Sequence, residues 1–191
     1  DEENVKLVML DPATYENDLP KNIEKQMNDE KILHLDYEYL SQPEVARLLK
    51  SCDALLHCNR EGQDYTILEA MAVGLPVICT QDGANSIFAK PENSFGVKTQ
   101  RVARWSGKSE PLKIEDNWIL EIDQDSIRKQ IRYLYENIDE PEVNEKIENG
   151  MTEASSRSFE LVAQKLLEAV KQIQEVENSA GIHGIPNNRA L

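Results

Sequence analysis

Basic residues and cysteines are scarce in this sequence, and each shortage argues against a class of function. With 21 Lys and Arg against 35 Asp and Glu, the formal net charge is −14, which opposes non-specific binding to nucleic acid or to an anionic membrane. The three cysteines are an odd number in apolar surroundings, which suits reduced thiols in a cytosolic protein better than a disulfide framework. Because the net charge is strongly negative, an anionic ligand must be held by a local site.

Long hydrophobic runs and metal-ligand spacings are also missing from the sequence. No apolar stretch approaches the roughly 18 to 20 residues that span a bilayer, and the first residues, DEENVKL, do not resemble a signal peptide. The three histidines are scattered and show no recognisable spacing to the cysteines. We therefore expect a soluble, cytoplasmic protein without a metal site. At 191 residues with 40% hydrophobic content, the chain suffices for one domain with a substantial core.

Short continuous apolar runs alternate with helical segments in the first half of the chain. The runs predict strands at residues 5–10, 31–35, 54–58 and 76–80, with a weaker fifth strand at 95–99. The segments between them predict helices at residues 20–28, 42–51 and 65–73. Continuous apolar runs are typical of parallel strands covered on both faces. Their alternation with helices predicts an α/β fold, a doubly wound parallel sheet with right-handed crossovers.

The second half of the chain has a different pattern. Residues 100–117 lack an apolar period and carry basic side chains around Trp105, which predicts an irregular basic loop. From Trp118 onward the pattern is helical, with two apolar stripes that we expect to pack on the sheet or on its neighbours. The stripes comprise residues 127, 131, 134 and 138, and residues 159, 162, 166, 170 and 173. We predict one domain over residues 1–174, ending in helices, and a tail or linker at 175–191.

Two glutamates, Glu61 and Glu69, flank the start of the helix predicted at residues 65–73. Asp64 is its predicted N-cap, and Gly74 with Pro76 provides its stop. Ligands bind at the carboxyl ends of strands in open α/β sheets, and the first amides of a helix there form an anion site. Because a carboxylate accepts two hydroxyl hydrogen bonds, such a pair suits the ribose, diphosphate and sugar of a nucleotide sugar. The spacing alone also fits surface acids that favour the helix dipole.

The segment CDALLHCNREGQDYTILEAMAVGLPVICT, residues 52–80, resembles the donor-side signature of retaining glycosyltransferases of the GT-B fold. That signature has A-D, a strand, E-G-F-G, three apolar positions and then E-A-M-A-x-G-x-P-V-V, so that two glutamates form an E-x7-E motif. The residues that match it in register are Asp53, Glu61, Gly62, Glu69, Ala70, Met71, Ala72, Gly74 and Pro76. A weaker resemblance extends over residues 5–171.

The resemblance implies a Rossmann-like sheet that forms the C-terminal, donor-binding domain of a retaining hexosyltransferase. Such an enzyme moves a hexosyl unit from a nucleotide sugar to a hydroxyl acceptor, without a metal or other cofactor. Glu61 would lie at the transferred sugar as the catalytic glutamate, and Glu69 would bind the ribose hydroxyls. The other donor-binding residues implied are Arg60 and Gly62 in the loop, Tyr65, Thr66 and Ile67 with amides at the diphosphate, and Tyr37 and Glu38 near the base.

Several positions depart from the family pattern. Gln63 and Asp64 replace Phe-Gly, Asp82 replaces the first glycine of a later Gly-Gly pair, and Ser86 replaces a glutamate. The family's first strand and helix, which carry an Arg and a Lys for the diphosphate, have no counterpart before Val5. We therefore expect an incomplete fragment that is inactive alone. Its partners would be the nucleotide sugar and an N-terminal acceptor-binding domain, and any membrane contact would come only through the rest of the protein.

Basic residues from elsewhere in the chain are candidates for the role of the absent pair. Arg60 in the loop before the helix is one, and the basic loop offers Arg101, Arg104 and Lys108. These side chains would meet the donor phosphates or an anionic acceptor, or they would form a solvated surface insertion.

Two other interpretations stay open. The chain could be a non-catalytic binding or assembly module that keeps the same fold, which the departures from the motif favour. It could also be an unrelated doubly wound protein, such as an NAD-dependent dehydrogenase. Against the latter, no G-x-G-x-x-G follows the first predicted strand.

Overall fold

A computed structural model describes residues 5–11, 31–36, 40–58, 65–103 and 118–179. It divides into two compact units, residues 1–52 and residues 53–191. Within the described ranges the strands and helices are those predicted for an α/β protein with parallel strands, with one hairpin in addition. No helix in these ranges combines the length and the apolar character needed to cross a membrane.

The first unit contains a parallel strand pair and a helix. Strand β1 (Leu7–Asp11) pairs with β2 (Ile32–Asp36), and helix α1 (Gln42–Lys50) follows. Helix α1 begins at a capping interaction in which the Ser41 amide and hydroxyl both donate to Glu44 Oε2, at 2.8 and 2.5 Å. These three elements confirm the sequence predictions. The helix predicted at residues 20–28 lies outside the described residues.

The second unit is built on a three-stranded parallel sheet. Its order is β3 (Leu55–His57), β4 (Val77–Thr80) and β5 (Phe95–Val97). All residues of the central strand β4 are buried, as expected for a parallel strand covered on both faces. Helix α2 (Thr66–Ala72) lies between β3 and β4 along the chain, and a 3₁₀ helix (Gly83–Ile87) follows β4. The predicted parallel α/β fold is confirmed.

Two helices cover this sheet and close its core. Helices α3 (Gln124–Asn137) and α4 (Pro141–Ser155) supply buried side chains that join those of the strands. The core cluster comprises Ile78, Phe95, Val97, Leu134 and Val143. Helix α4 also crosses α2 closely, because a Cβ atom on Gly150 would lie 3.1 Å from Met71 Cγ. Ile127, Leu134 and Ile138 of the first predicted apolar stripe therefore pack as expected, whereas Ile131 is exposed.

The segment that follows β5 corrects two predictions. Strands β6 (Thr99–Ala103) and β7 (Trp118–Ile122) form an antiparallel hairpin, so residues 100–103 are not an irregular loop and the helical region does not begin at Trp118. It begins at Gln124, where Asp123 Oδ1 accepts from the Asp125 amide at 2.9 Å. The helical prediction failed because the apolar residues of β7 satisfy helical and strand spacing equally over such a short run. Residues 104–117 lie outside the described ranges.

The last helix, α5 (Phe159–Ser179), has no buried residue. The second apolar stripe is therefore exposed in the described structure, whereas we expected it to pack. A helical period shows that a helix is amphipathic without showing which surface covers it. The helix also continues to Ser179, into the segment predicted as a tail or linker.

Candidate functional site

The carboxyl ends of the three parallel strands meet at one edge of the sheet in the second unit. The residues that follow the strands there are Cys58 after β3, Gln81 after β4 and Lys98 after β5. Because ligands of open α/β sheets bind beyond this edge, it is the first place to look for a site. Of the residues predicted from the sequence, the structure describes Tyr65, Thr66, Ile67 and Glu69, together with the alternative basic residue Arg101, which is exposed in β6. The other predicted site residues, Tyr37, Glu38, Arg60, Glu61 and Gly62, lie outside the described ranges.

Helix α2 starts one residue later than predicted, with Tyr65 at the N-cap position. The predicted N-cap, Asp64, is therefore wrong, and its side chain lies outside the described residues. The Glu69 amide donates to the Tyr65 carbonyl at 2.9 Å, which is the first hydrogen bond of the helix. Helix α2 thus begins soon after the carboxyl end of β3, at the edge where the strands end.

The side chains of α2 divide into a buried face and a face turned away from the core. Ile67, Ala70 and Met71 are buried, at the i, i+3, i+4 spacing of one helix face. Glu69 lies roughly 200° around the helix from Ile67, and it is half-buried. Tyr65, at the start of the helix, is 65% exposed. The Glu69 side chain is consequently not part of the buried core.

A glycine ends α2 and directs the chain into β4. Gly74 has φ of 77°, a left-handed conformation that favours glycine. The Leu75 amide donates to the Ala70 carbonyl at 3.0 Å, and the Gly74 amide donates to the Met71 carbonyl at 3.1 Å. This pair of bonds is the Schellman motif, and it confirms the helix stop predicted from the sequence. The Pro76 carbonyl then accepts from the Leu55 amide at 3.0 Å, which joins the end of the turn to β3.

A cavity of about 510 Å³ opens beside the carboxyl ends of β4 and β5. Its lining combines charged, polar and apolar side chains with the backbone of β5 and the start of β6. The charged and polar members are Gln81, Asp82, Ser86, Lys90, Lys98 and Thr99. Sequence reasoning singled out only Asp82 and Ser86, and those only as departures from a motif. Gln81 could have been found from its position just after a predicted strand, whereas Lys90 lies between predicted strands and Lys98 and Thr99 lie inside the predicted strand 95–99.

Gln81 forms one wall of this cavity. Its Nε2 donates to Ser94 Oγ at 2.9 Å, and its Oε1 lies 2.4 Å from the place where a Cβ atom on Gly96 would stand. A second cavity of about 360 Å³ shares Gln81 and Gly96 and is also lined by Tyr133 and Lys146. The Gln81 amide therefore lies against the β5 backbone at the border of both cavities.

Asp82 and Thr99 link two of the chain segments around the first cavity. The Thr99 hydroxyl donates to Asp82 Oδ2, which ties the second residue after β4 to the first residue of β6. The Ser86 hydroxyl donates to the Gly83 carbonyl at 2.7 Å, so it is directed into its own 3₁₀ turn. Ser86 thus occupies a position where the family signature has a carboxylate, and its hydroxyl satisfies the local backbone.

The cysteines near this edge are not suited to nucleophilic chemistry. Burial raises the pKa of Cys79 to about 12 and that of Cys58 to about 11. Both thiols are neutral at pH 7, and the thiolate is the reactive form. Across the described ranges, no three His, Cys, Asp or Glu side chains are grouped to hold a metal ion.

Comparison with known proteins places these elements in a family. Residues 1–116 match the family model described as glycosyl transferases group 1, and this match covers more than half of the 191 residues. It includes α2 with Glu69 and the cavity at the ends of β4 and β5. A search of curated proteins found no significant match. Glycosyl transfer requires a glycosyl donor and an acceptor, and the chain belongs to the group 1 glycosyltransferases.

Proposed function

We propose that this chain provides the donor-binding part of a retaining glycosyltransferase that moves a hexosyl unit from an NDP-sugar to a hydroxyl acceptor. The observation that carries the proposal is the position of Glu69. It lies in a helix that begins soon after the carboxyl end of β3, on the side away from the buried residues of that helix. Within a group 1 glycosyltransferase, a carboxylate at this edge of the sheet is suited to the ribose hydroxyls of the donor.

The roles proposed for the individual residues come from the family signature, and the placement of Glu69 supports the role proposed for that residue. Glu69 would accept hydrogen bonds from the ribose hydroxyls, and Glu61 would lie at the transferred sugar. The proposed donor-binding residues besides these are Arg60, Gly62, Tyr65, Thr66 and Ile67 around the diphosphate, with Tyr37 and Glu38 near the base. With a net charge of −14, the chain must neutralise the diphosphate locally, through backbone amides and the few cations nearby.

The reaction transfers the anomeric carbon between two oxygens. The bond from that carbon to the diphosphate oxygen breaks, and a bond to the acceptor hydroxyl oxygen forms on the same face. The acceptor proton goes to the departing diphosphate or to solvent. Preorganised dipoles that meet the charge developing on the diphosphate lower the barrier most effectively in such a step. No metal ion is required for this proposal.

Calorimetric titration tests the proposal directly. UDP-glucose, GDP-mannose and NAD are each titrated into the wild type, Glu69→Gln and the control Glu145→Gln, whose site is an exposed position on α4. Loss of a hydrogen bond to a charged group costs about 1.5–3 kcal/mol, so Glu69→Gln should weaken nucleotide-sugar binding by roughly 10- to 100-fold. The control should bind like the wild type.

The other outcomes separate the competing interpretations. Unchanged nucleotide-sugar affinity in Glu69→Gln would refute the role assigned to Glu69. Binding of NAD without binding of either nucleotide sugar would support a dehydrogenase. Binding of none of the three would favour a non-catalytic module of the same fold, which the inward-turned hydroxyl of Ser86 also favours.

A further inference from the structure

Helix α4 packs against α2 through a face that contains a glycine. Ile147, Gly150 and Met151 stand at the i, i+3 and i+4 positions of that face. A Cβ atom on Gly74, just after α2, would lie 3.9 Å from Ile147 Cγ2 and 3.5 Å from Met151 Sδ, and both are ordinary contact distances. The end of α2 therefore packs against the two residues of α4 that flank Gly150 on this face.

Gly150 stands where the two helices leave no room for a side chain. It is buried, and a Cβ atom on it would lie 3.1 Å from Met71 Cγ, closer than the ordinary carbon–carbon contact of about 3.5–4.0 Å. One of the two helices would have to shift by a few tenths of an ångström, because Met71 is only 1% exposed and is packed on all sides. Glycine is less favourable than alanine inside a helix, so close packing accounts for a glycine at this position.

Helix α4 is held on the segment that leads from the 3₁₀ helix into β5. Three side chains of α4 and of the turn after it donate to backbone carbonyls of that segment. The donor and acceptor residues are Lys146 and Pro91, Asn149 and Glu92 at 3.0 Å, and Arg157 and Ile87 at 2.9 Å. A movement of α4 that cleared Met71 would stretch these hydrogen bonds. We therefore expect α2, which has seven residues against the 15 of α4, to move instead.

Glu69 lies on the side of α2 that faces away from α4. It precedes Met71 by two residues, which is roughly 200° around a helix. Met71 is buried against α4, whereas Glu69 is half-buried. A push on Met71 from α4 therefore displaces α2 toward the side on which Glu69 lies, and it carries the Glu69 carboxylate with it.

We propose that Gly150 is a positioning residue for donor binding, because its lack of a side chain lets α2 lie at the depth that places the Glu69 carboxylate at the donor ribose. Gly150 touches no ligand in this arrangement and acts through Met71 and Glu69. The control that Gly150 exerts on the position of α2 stands on the contacts between the two helices. Its consequence for donor binding rests on the proposed function.

Calorimetric titration of the full chain with UDP-glucose and GDP-mannose tests this consequence. It compares the wild type, Gly150→Ala and the control Thr152→Ala, which also places an alanine in α4 but at an exposed position. Loss of the whole Glu69 interaction should weaken binding by roughly 10- to 100-fold. A displaced Glu69 should lose part of that, so Gly150→Ala should weaken binding by about three- to tenfold, and Thr152→Ala should bind like the wild type.

A double-variant cycle with Met71→Ala separates positioning from a general loss of stability. Met71→Ala removes the Cγ atom that a methyl group at position 150 would meet, and it leaves the Cβ atom at 3.5 Å. In that background Gly150→Ala should change nucleotide-sugar affinity by less than about twofold. An equal loss of affinity in both backgrounds would overturn the proposal. A lower urea midpoint for Gly150→Ala with unchanged affinity would also overturn it, because a purely structural role has that effect.

Nuclear magnetic resonance spectra of the ligand-free chain follow α2 directly, and they do not depend on whether Met71→Ala folds. The backbone amide signals of Thr66–Glu69 should shift in Gly150→Ala and stay in place in Thr152→Ala. Unchanged signals in Gly150→Ala would overturn the control of α2 by Gly150. Shifted signals together with wild-type affinity for both nucleotide sugars would overturn its role in donor binding.

Failure of the proposed function has a different signature. If neither nucleotide sugar binds the wild type, the donor function fails and the role of Gly150 in it fails too, while the amide signals of Thr66–Glu69 still show whether Gly150 sets the position of α2. Nucleotide-sugar binding that depends on Glu69 and is unaffected by Gly150→Ala would overturn only the role of Gly150.

Discussion

Gly96, in the middle of β5, is a position where a single methyl group must displace a neighbouring side chain. A Cβ atom there would stand 2.4 Å from Gln81 Oε1 and 2.7 Å from Gln81 Cδ, about 1 Å short of ordinary contact. Because Gln81 Nε2 is held at 2.9 Å from Ser94 Oγ, the amide cannot retreat by that distance and keep this bond. In Gly96→Ala we therefore expect Gln81 to leave Ser94.

Two opposing contributions set the size of this effect. The lost hydrogen bond to Ser94 is worth about 0.5–1.5 kcal/mol. Alanine in place of a strand glycine gains about 0.5–1 kcal/mol, because glycine loses more backbone entropy on folding. In the wild-type background the two contributions nearly cancel or leave a small net loss. In a Gln81→Ala background the hydrogen bond is already absent, so Gly96→Ala should stabilise the protein by about 0.5–1 kcal/mol.

Urea denaturation of the four proteins in this cycle measures the difference. The free energy of unfolding is obtained by linear extrapolation for the wild type, Gly96→Ala, Gln81→Ala and the double variant. The change that Gly96→Ala causes in the free energy of unfolding should be more stabilising in the Gln81→Ala background than in the wild type, by about 1 kcal/mol. An identical effect in both backgrounds would refute the steric coupling.

Two further predictions concern the ends of helices. The hydrogen bonds from Ser41 lower the pKa of Glu44. The ionised Glu44 therefore stabilises the fold at pH values above the unfolded-state pKa of about 4.3–4.5. This stabilisation is lost as the pH falls through the lower pKa of the folded state. Helical circular dichroism should therefore give Glu44→Gln a lower urea midpoint than wild type at pH 7 and a smaller deficit at pH 3, and equal deficits would contradict this. Replacement of Gly74 by alanine, at φ of 77°, should lower the free energy of unfolding by about 1–2 kcal/mol. This loss should persist in a Met151→Ala background, since Met151 Sδ is only at ordinary contact distance, 3.5 Å; relief in that background would point to side-chain crowding instead.

The parts of the fold that sequence could predict are those governed by local patterns. Strand β4 was predictable because a parallel strand covered on both faces must be apolar throughout, and Val77–Thr80 is buried along its whole length. The end of α2 was predictable because Gly74 followed by Pro76 is a local stop signal. The hairpin of β6 and β7 was not, because its pairing joins Thr99 to Ile122 across an intervening segment, and neither strand carries a strong pattern of its own.

The candidate site divides in the same way. The position of Glu69 in the first turn of α2 was predictable because a fixed spacing connects it to the helix start and to the glycine stop, and its role at the donor stays a prediction. The cavity was not, because its shape depends on how Gln81 lies over Gly96 and on how Thr99 reaches Asp82. These contacts join residues from different elements, and nothing in the local sequence around either partner specifies the other.

The central position of β4 also affects how readily amide hydrogens in the second unit exchange with solvent. Its backbone is paired on one edge with β3 and on the other with β5, and its side chains are buried, so its amide hydrogens can exchange with solvent only when the whole unit unfolds. Helix α5, with no buried residue, can fray without disturbing that core. We therefore expect the carboxyl end of β4 to belong to the slowest-exchanging part of the described chain.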